Sequence, residues 1–198
     1  MAMESPRRMG PQSSATRFSL MDAAETVMRE EGYAAVTARR VAERAGVKHQ
    51  LVYYYFQTMD DLLVAAFRRR AEQVIEKVEQ VLAAKRPLHA FWQVFSDPAD
   101  AALTLEYLAL ANHNEQIRLE TIEFGERIRR LEAERLADSF PQTERPEIVT
   151  PYAVMVAITY IARLVGFEAT LGVRGGHKEA RALVEWALQR LEPNGSGR

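Results

Sequence analysis

The chain has 198 residues, 47% of them apolar and 27% charged, enough to bury the core of one domain or two small ones; a disordered tail or a collagen-like repeat is excluded. No cysteine is present, which removes disulfides, thiolate catalysis and Cys-ligated zinc or iron–sulfur centres and fits a reducing cytoplasm. The near balance of 26 Lys+Arg against 27 Asp+Glu, a net charge of −1, counts against a nucleic-acid partner only if the charge is evenly spread.

Residues 1–16 are polar, with Ser, Pro, Arg and Gly and no apolar core segment, and read as a flexible arm without a secretory signal. Helical periodicity then recurs along the whole chain, with no sustained period-two alternation. A first helix is expected from Arg17 to Glu31, with Leu20, Ala23, Ala24, Val27 and Met28 on one face and Gly32 closing it. Thr37 is a good N-cap for a short helix that turns Val41, Ala42 and Ala45 inward. After the Gly46 turn, a third short helix covers roughly Lys48 to Tyr54, with Phe56 at its exit.

Thr58 with Asp61 has the form of a capping box. It opens a long helix through Leu62, Ala66, Val74, Val78 and Leu82 that Pro87 stops. Leu88 to Phe95 forms a short aromatic helix, Asp97-Pro98 opens another to about Ala111, and Asn112 with Glu115 marks the start of the next, toward Pro141. Thr150-Pro151 opens the most apolar helix, which closes near Gly172; its most apolar stretch, Pro151 to Ala162, is interrupted by Thr159 and followed by Arg163, which makes it too short to span a bilayer. Gly175-Gly176 turns the chain into a last amphipathic helix, Lys178 to Leu191. The expected fold is all-α with about nine helices: an arm (1–16), a three-helix unit (17–57) and a larger helical domain (58–198).

Two short helices joined by Ala45-Gly46-Val47 have the layout of a helix-turn-helix. Small Ala42 and Ala45 let the helices cross closely, and Val47 and Val52 fill the space between them. Lys48, His49, Gln50, Tyr53 and Tyr54 are left facing outward, where a second helix enters the major groove. Gln can pair with adenine, Lys with guanine, and tyrosine hydroxyls reach phosphates. The charge agrees: residues 1–58 carry a net +2, and between Arg39 and Lys48 four basic residues (Arg39, Arg40, Arg44, Lys48) face one acid, Glu43.

The run from Arg17 through Leu63 resembles the DNA-binding domain of the tetracycline-repressor (TetR) family of transcriptional regulators. The features that carry the resemblance are, in order, an alanine-rich first helix, Gly32-Tyr33, the Thr37 cap, Val41-Ala42-Glu43-Arg44-Ala45-Gly46-Val47, then Tyr53, Tyr55 and Phe56. The resemblance implies a DNA interface drawing on Thr37, Arg39, Arg40, Lys48, His49, Gln50, Tyr53 and Tyr54, with Tyr55 packed inward; Arg39 and Arg40 read equally well as a solvated helix face. Family members often place Ser after the turn valine and Gly two residues on, where this chain has Lys48 and Gln50, and a phosphate-contacting Lys where it has Met59. One backbone contact is therefore missing, and Lys48 is placed to compensate.

The resemblance also implies a homodimer on a palindromic double-stranded operator and a small-molecule effector in the larger domain, with no metal, cofactor or membrane. Phe91, Trp92, Phe95, Leu103, Tyr107, His113, Phe124, Met155, Thr159 and Phe167 are the pocket candidates, with Tyr107, His113 and Thr159 as polar handles for a largely apolar ligand. Taken singly, each is as well explained as core. The two C-terminal helices are apolar on more than one face, so they are expected to pack with a two-fold copy through Leu164, Phe167, Leu171, Leu183, Trp186 and Leu191.

The four histidines (His49, His89, His113, His177) have no metal-ligand spacing, and no HExxH, phosphate loop or GxSxG is present, so an enzyme is disfavoured. The reading is a cytoplasmic transcriptional repressor released from DNA by its ligand. The alternative is a helical interaction adaptor on the same fold without sequence-specific DNA binding.

Overall fold

In a computed structural model, which describes residues 10–11, 13–136 and 147–192, the periodic segments form nine α-helices, and no strand occurs among the described residues. They are α1 (Ala15–Glu31), α2 (Ala38–Arg44), α3 (Gln50–Tyr55), α4 (Met59–Leu82), α5 (Pro87–Phe95), α6 (Pro98–Ala111), α7 (Glu115–Leu136), α8 (Pro151–Thr170) and α9 (His177–Leu191). A single 3₁₀ turn, Tyr33–Ala35, links α1 to α2. The arm expected over 1–16 lies largely outside the described residues, as does the approach to Pro141.

Several helix starts are set by side chains that take up otherwise unpaired amide groups. The Thr37 hydroxyl accepts from the Arg40 amide at 3.3 Å and the Thr150 hydroxyl from the Ala153 amide at 3.1 Å. Thr58 and Asp61 close a reciprocal capping box: the Asp61 amide donates to Thr58 Oγ1 at 3.1 Å and the Thr58 amide to Asp61 Oδ2 at 2.9 Å. The start of α7 is corrected by two residues, because Asn114 Oδ1, not Asn112, accepts from the Ile117 amide at 2.9 Å.

The chain forms two compact units, the first taking residues up to Arg70 together with Glu106–Glu120, the second taking Ala71–Leu105 and residues from Thr121 onward. The first is therefore larger than the 17–57 segment that the sequence suggests. Leu20, Ala24, Val27 and Met28 of α1 are fully buried in it, along with Val41 of α2, Val52 of α3 and Leu62 and Ala66 of α4. Each such buried leucine or methionine contributes about 1.5–3 kcal/mol. The C-terminal part of α6 belongs here through specific bonds: Glu106 Oε2 accepts from the Tyr33 amide at 2.8 Å, and the Tyr107 ring meets Phe67 edge-on at 5.2 Å. The Tyr107 hydroxyl donates to Glu25 Oε1 at 3.4 Å, and burial raises the pKa of both groups.

The second unit is built around one apolar cluster that includes Val78 and Leu82 of α4, Leu88, Phe91 and Trp92 of α5, Ile128 and Leu136 of α7, Met155, Ile158 and Ala162 of α8, and Val184 and Leu188 of α9. Glu192, just past α9, fixes the start of α5: its carboxylate accepts from the Leu88 amide at 2.8 Å and the His89 amide at 3.2 Å, and meets His89 Nδ1 at 2.9 Å. The turn between α8 and α9 relies on Gly172 and Gly176, at φ 85° and 78°. Helix α8 continues past Arg163 to Thr170, so Tyr152–Thr170 is long and apolar enough to cross a bilayer by length and composition, longer than the run read from sequence. Met155, Ile158, Ala162 and Val165 of this helix are buried in the second unit, whereas Tyr152, Tyr160 and Leu164 face outward.

Candidate nucleic-acid interface

The turn between α2 and α3 depends on Gly46, whose φ of 67° lies in the left-handed region that a side chain disfavours. Its amide donates to the Glu43 carbonyl at 3.1 Å, and the Val47 amide donates to the Ala42 carbonyl at 3.0 Å, closing the end of α2. Val41 and Ala42 of α2 and Val52 of α3 are buried, so the two helices are held by their small and branched residues. With Val52 and Tyr55 turned inward, helical geometry leaves His49, Gln50, Tyr53 and Tyr54 exposed, together with Lys48 just before the helix.

Tyr55 packs against Tyr54 edge-on at 5.0 Å and receives a hydrogen bond on its hydroxyl from Ser14 Oγ at 2.9 Å. The chain ahead of α1 also touches α3, where the Gly10 amide donates to the Tyr54 carbonyl at 2.9 Å. A Cβ at Gly10 would lie 2.3 Å from the Tyr55 ring. Sequence reading missed this strap, since a lone glycine in a polar arm carries no periodic signal. On the opposite side of α3, the Arg17 guanidinium lies 4.8 Å from the centre of the Phe56 ring.

The basic patch is smaller than composition suggests. Arg40 pairs with Glu31 at 2.6 Å and with Glu43 at 3.0 Å, and Arg44 pairs with Glu30 at 2.6 Å. The hydrogen bond from Arg40 holds the Glu31 carboxyl below its usual pKa, and Glu31 and then Glu43 hold Arg40 further in its charged form. Arg39 and Lys48 are exposed and make no ion pair among the described residues. The signal that could have shown this is Glu30-Glu31 at the end of α1, two acids with no basic residue three or four positions before them on the helix. Thr37 is exposed while capping α2; its oxygen accepts, which leaves its hydrogen free to donate.

Residues 20–66 match the family described as "Bacterial regulatory proteins, tetR family". The helix-turn-helix domain belongs to the TetR family. Outside that domain the likeness to TetR-family proteins is looser. The fatty acid metabolism regulator protein of Bacillus subtilis (strain 168) is 33% identical over 68 residues, which cover 34% of this chain and 35% of that protein. The HTH-type transcriptional regulator BetI of Rhizobium meliloti (strain 1021) is 25% identical over 155 residues, 73% of this chain and 76% of that one. The fold of a Bacillus subtilis regulator, FadR in complex with stearoyl-CoA, matches with a TM-score of 0.64 at 21% identity, over 89% of this chain and 97% of that one. The chain thus has the TetR-family fold, and it spans about a third of the length of the Bacillus subtilis fatty acid metabolism regulator.

The pocket candidates divide between the two units. Phe91, Trp92, Phe95, Phe124 and Met155 come together in or against the apolar cluster of the second unit, with Phe95 stacked on Phe91 at 4.3 Å. Leu103 and Thr159 are buried in the same unit, and Phe167 is half-buried. Tyr107 and His113 lie in the first unit, which takes Glu106–Glu120. The Tyr107 hydroxyl turns to Glu25, and exposed His113 stacks on Tyr33 at 6.1 Å.

Of the expected dimer residues, Leu164, Leu171, Leu183 and Trp186 are exposed, whereas Phe167 and Leu191 are half-buried and Leu191 packs on the apolar cluster. Tyr152, Tyr160 and Val173 extend the same exposed apolar set.

Proposed function

We propose that the chain is a sequence-specific DNA-binding transcriptional regulator acting in the cytoplasm as a homodimer, a repressor that leaves its operator when a small, largely apolar ligand binds. The observation that carries this reading is the exposed row of His49, Gln50, Tyr53 and Tyr54 on a short helix held by a glycine turn, inside the domain that matches the TetR family. In it, Gln50 reads base edges, while Lys48, Tyr53, Thr37 and Arg39 position the backbone. Arg40 supports α2 through its acids. Leu164, Leu171, Leu183 and Trp186 on α8 and α9 pair two copies, which sets two reading heads on a palindrome. The matched relatives carry the names of regulators, and we assign this chain no catalytic role.

The second unit supplies the effector site, with Phe91, Trp92 and Phe95 of α5 giving an apolar wall. The ligand shifts DNA affinity only by the difference in its own affinity for the two states. The test is a gel shift with the full chain on its own upstream DNA. Wild type forms a complex, Gln50→Ala with Tyr53→Phe weakens it by roughly tenfold or more, given about 1–3 kcal/mol for one good base contact, and an added cell extract releases it. A wild-type protein that shifts no fragment, or a double variant that binds as wild type does, refutes the reading and leaves the adaptor.

A further inference from the structure

Three polar atoms in the second unit are buried without a hydrogen-bond partner: Nε of Arg86, Oε1 of Glu132 and Oγ1 of Thr159, the last two on α7 and α8. Glu132 is 1% exposed and Thr159 is 3% exposed, so neither is served by bulk water. An unmet buried acceptor of this kind is costly and is kept where something else meets it.

The two residues share one seam. Arg129 of α7 lies over the ring of Tyr160 of α8 at 5.9 Å, and Arg163 of α8 lies close enough to act on the charge of Glu132. Glu132 lies one turn from both Ile128 and Leu136, on the face of α7 that joins Met155, Ile158 and Ala162 of α8 in the apolar cluster. Thr159 precedes Arg163 by four residues and so lies on the same face, one turn (about 5.4 Å) away. Its neighbours along that face, Met155 and Ala162, belong to the apolar cluster that also holds Phe91 and Trp92.

We infer that Glu132 and Thr159 form the polar end of the effector site, and that the effector presents a neutral hydroxyl there on an otherwise apolar body. This rests on the regulator reading above. A hydroxyl donates one hydrogen bond and accepts others, which matches a carboxylate oxygen that can only accept and a threonine hydroxyl that can donate. An ammonium head is disfavoured by charge: Arg129 already occupies Oε2 of Glu132 at 2.7 Å, and Arg163 adds a second positive group near the single carboxylate. An anionic head is disfavoured by the bare oxygen of Glu132 itself. The apolar body lies against Phe91, Trp92, Phe95, Phe124 and Met155.

The probes are 4-butylphenol, butylbenzene, 4-butylbenzoate and 4-butylbenzylammonium, titrated into the full chain by calorimetry. The phenol binds about tenfold or more tightly than butylbenzene, and more tightly than either charged probe. Thr159→Val reduces the preference for the phenol and leaves the affinity for butylbenzene unchanged within about twofold, which separates a lost contact from a damaged fold. Equal binding of phenol and butylbenzene, tighter binding of the benzoate or the ammonium, or no binding by any probe overturns the assignment. The gel shift without ligand reports on the regulator reading separately, so either can fail alone.

Discussion

Truncating Leu164 to alanine tests the proposed pairing of α8 and α9 with a second copy. Leu164 is 57% exposed in the single chain. Fully burying a leucine side chain is worth about 1.5–3 kcal/mol, so covering the exposed part is worth roughly 0.9–1.7 kcal/mol. Alanine keeps about a quarter of that, and a two-fold axis counts the change twice, giving about 1.3–2.6 kcal/mol per dimer. The dimer dissociation constant should rise roughly 9- to 80-fold. Since Leu164 is largely exposed within its own unit, the melting temperature of the monomer should hardly move. Sedimentation equilibrium over a range of concentrations measures the constant, with Leu183→Ala, at 62% exposure, as a matched variant on the second helix. A wild type that sediments as a monomer at micromolar concentration, or a Leu164→Ala dimer of unchanged affinity, refutes the reasoning.

Gly46→Ala should cost about 1–2 kcal/mol in urea denaturation, because no atom lies within 4 Å of the added Cβ and only the positive φ is penalised; unchanged stability would contradict the turn geometry. Glu132→Gln should gain stability relative to wild type as pH rises from about 4.5 toward 7. Burial raises the Glu132 carboxyl above its usual 4.5 against the pull of Arg129 and Arg163, so its favourable contribution is present below that pH and is lost as pH climbs through the raised value; urea midpoints at the two ends check this, and a constant difference refutes it. Specific DNA binding should show a log–log salt slope of about −4, from Arg39 and Lys48 in each of two heads at about −0.9 per phosphate contact; a slope steeper than about −6 would mean that Arg40 and Arg44 leave their acids.

What sequence reveals here follows from how local the forces are. Helix starts carried by a cap within one turn, such as Thr37, Thr58 and Thr150, are legible because donor and acceptor are three residues apart. The helix-turn-helix is legible for the same reason: Gly46, Ala42 and Val52 act within a dozen residues. The partition of α6 is not, because Glu106 is 73 residues from the Tyr33 amide it receives and no pattern joins them. His113 and Tyr107 accordingly looked like members of an aromatic-rich pocket, when their partners lie in the first unit. Glu132 was invisible as a buried residue, since a glutamate in a charged helix is ordinarily solvated.

The near-zero net charge takes on a definite meaning once the ion pairs are placed. Four basic residues cluster between Arg39 and Lys48, but Glu30 and Glu31 at the end of α1 reach Arg44 and Arg40, and Glu43 joins Arg40 as well. Arg40 and Arg44 therefore tie α2 to α1, and of the four basic residues between Arg39 and Lys48 the exposed Arg39 and Lys48 make no ion pair among the described residues. A reading head with so little free charge gains little from DNA of arbitrary sequence. On the proposed function, discrimination would then rest on contacts that depend on base identity, at His49 and Gln50, and on the spacing of two heads in a dimer. The glycine turn between α2 and α3 would serve the first requirement, and pairing through the exposed apolar residues of α8 and α9 would serve the second.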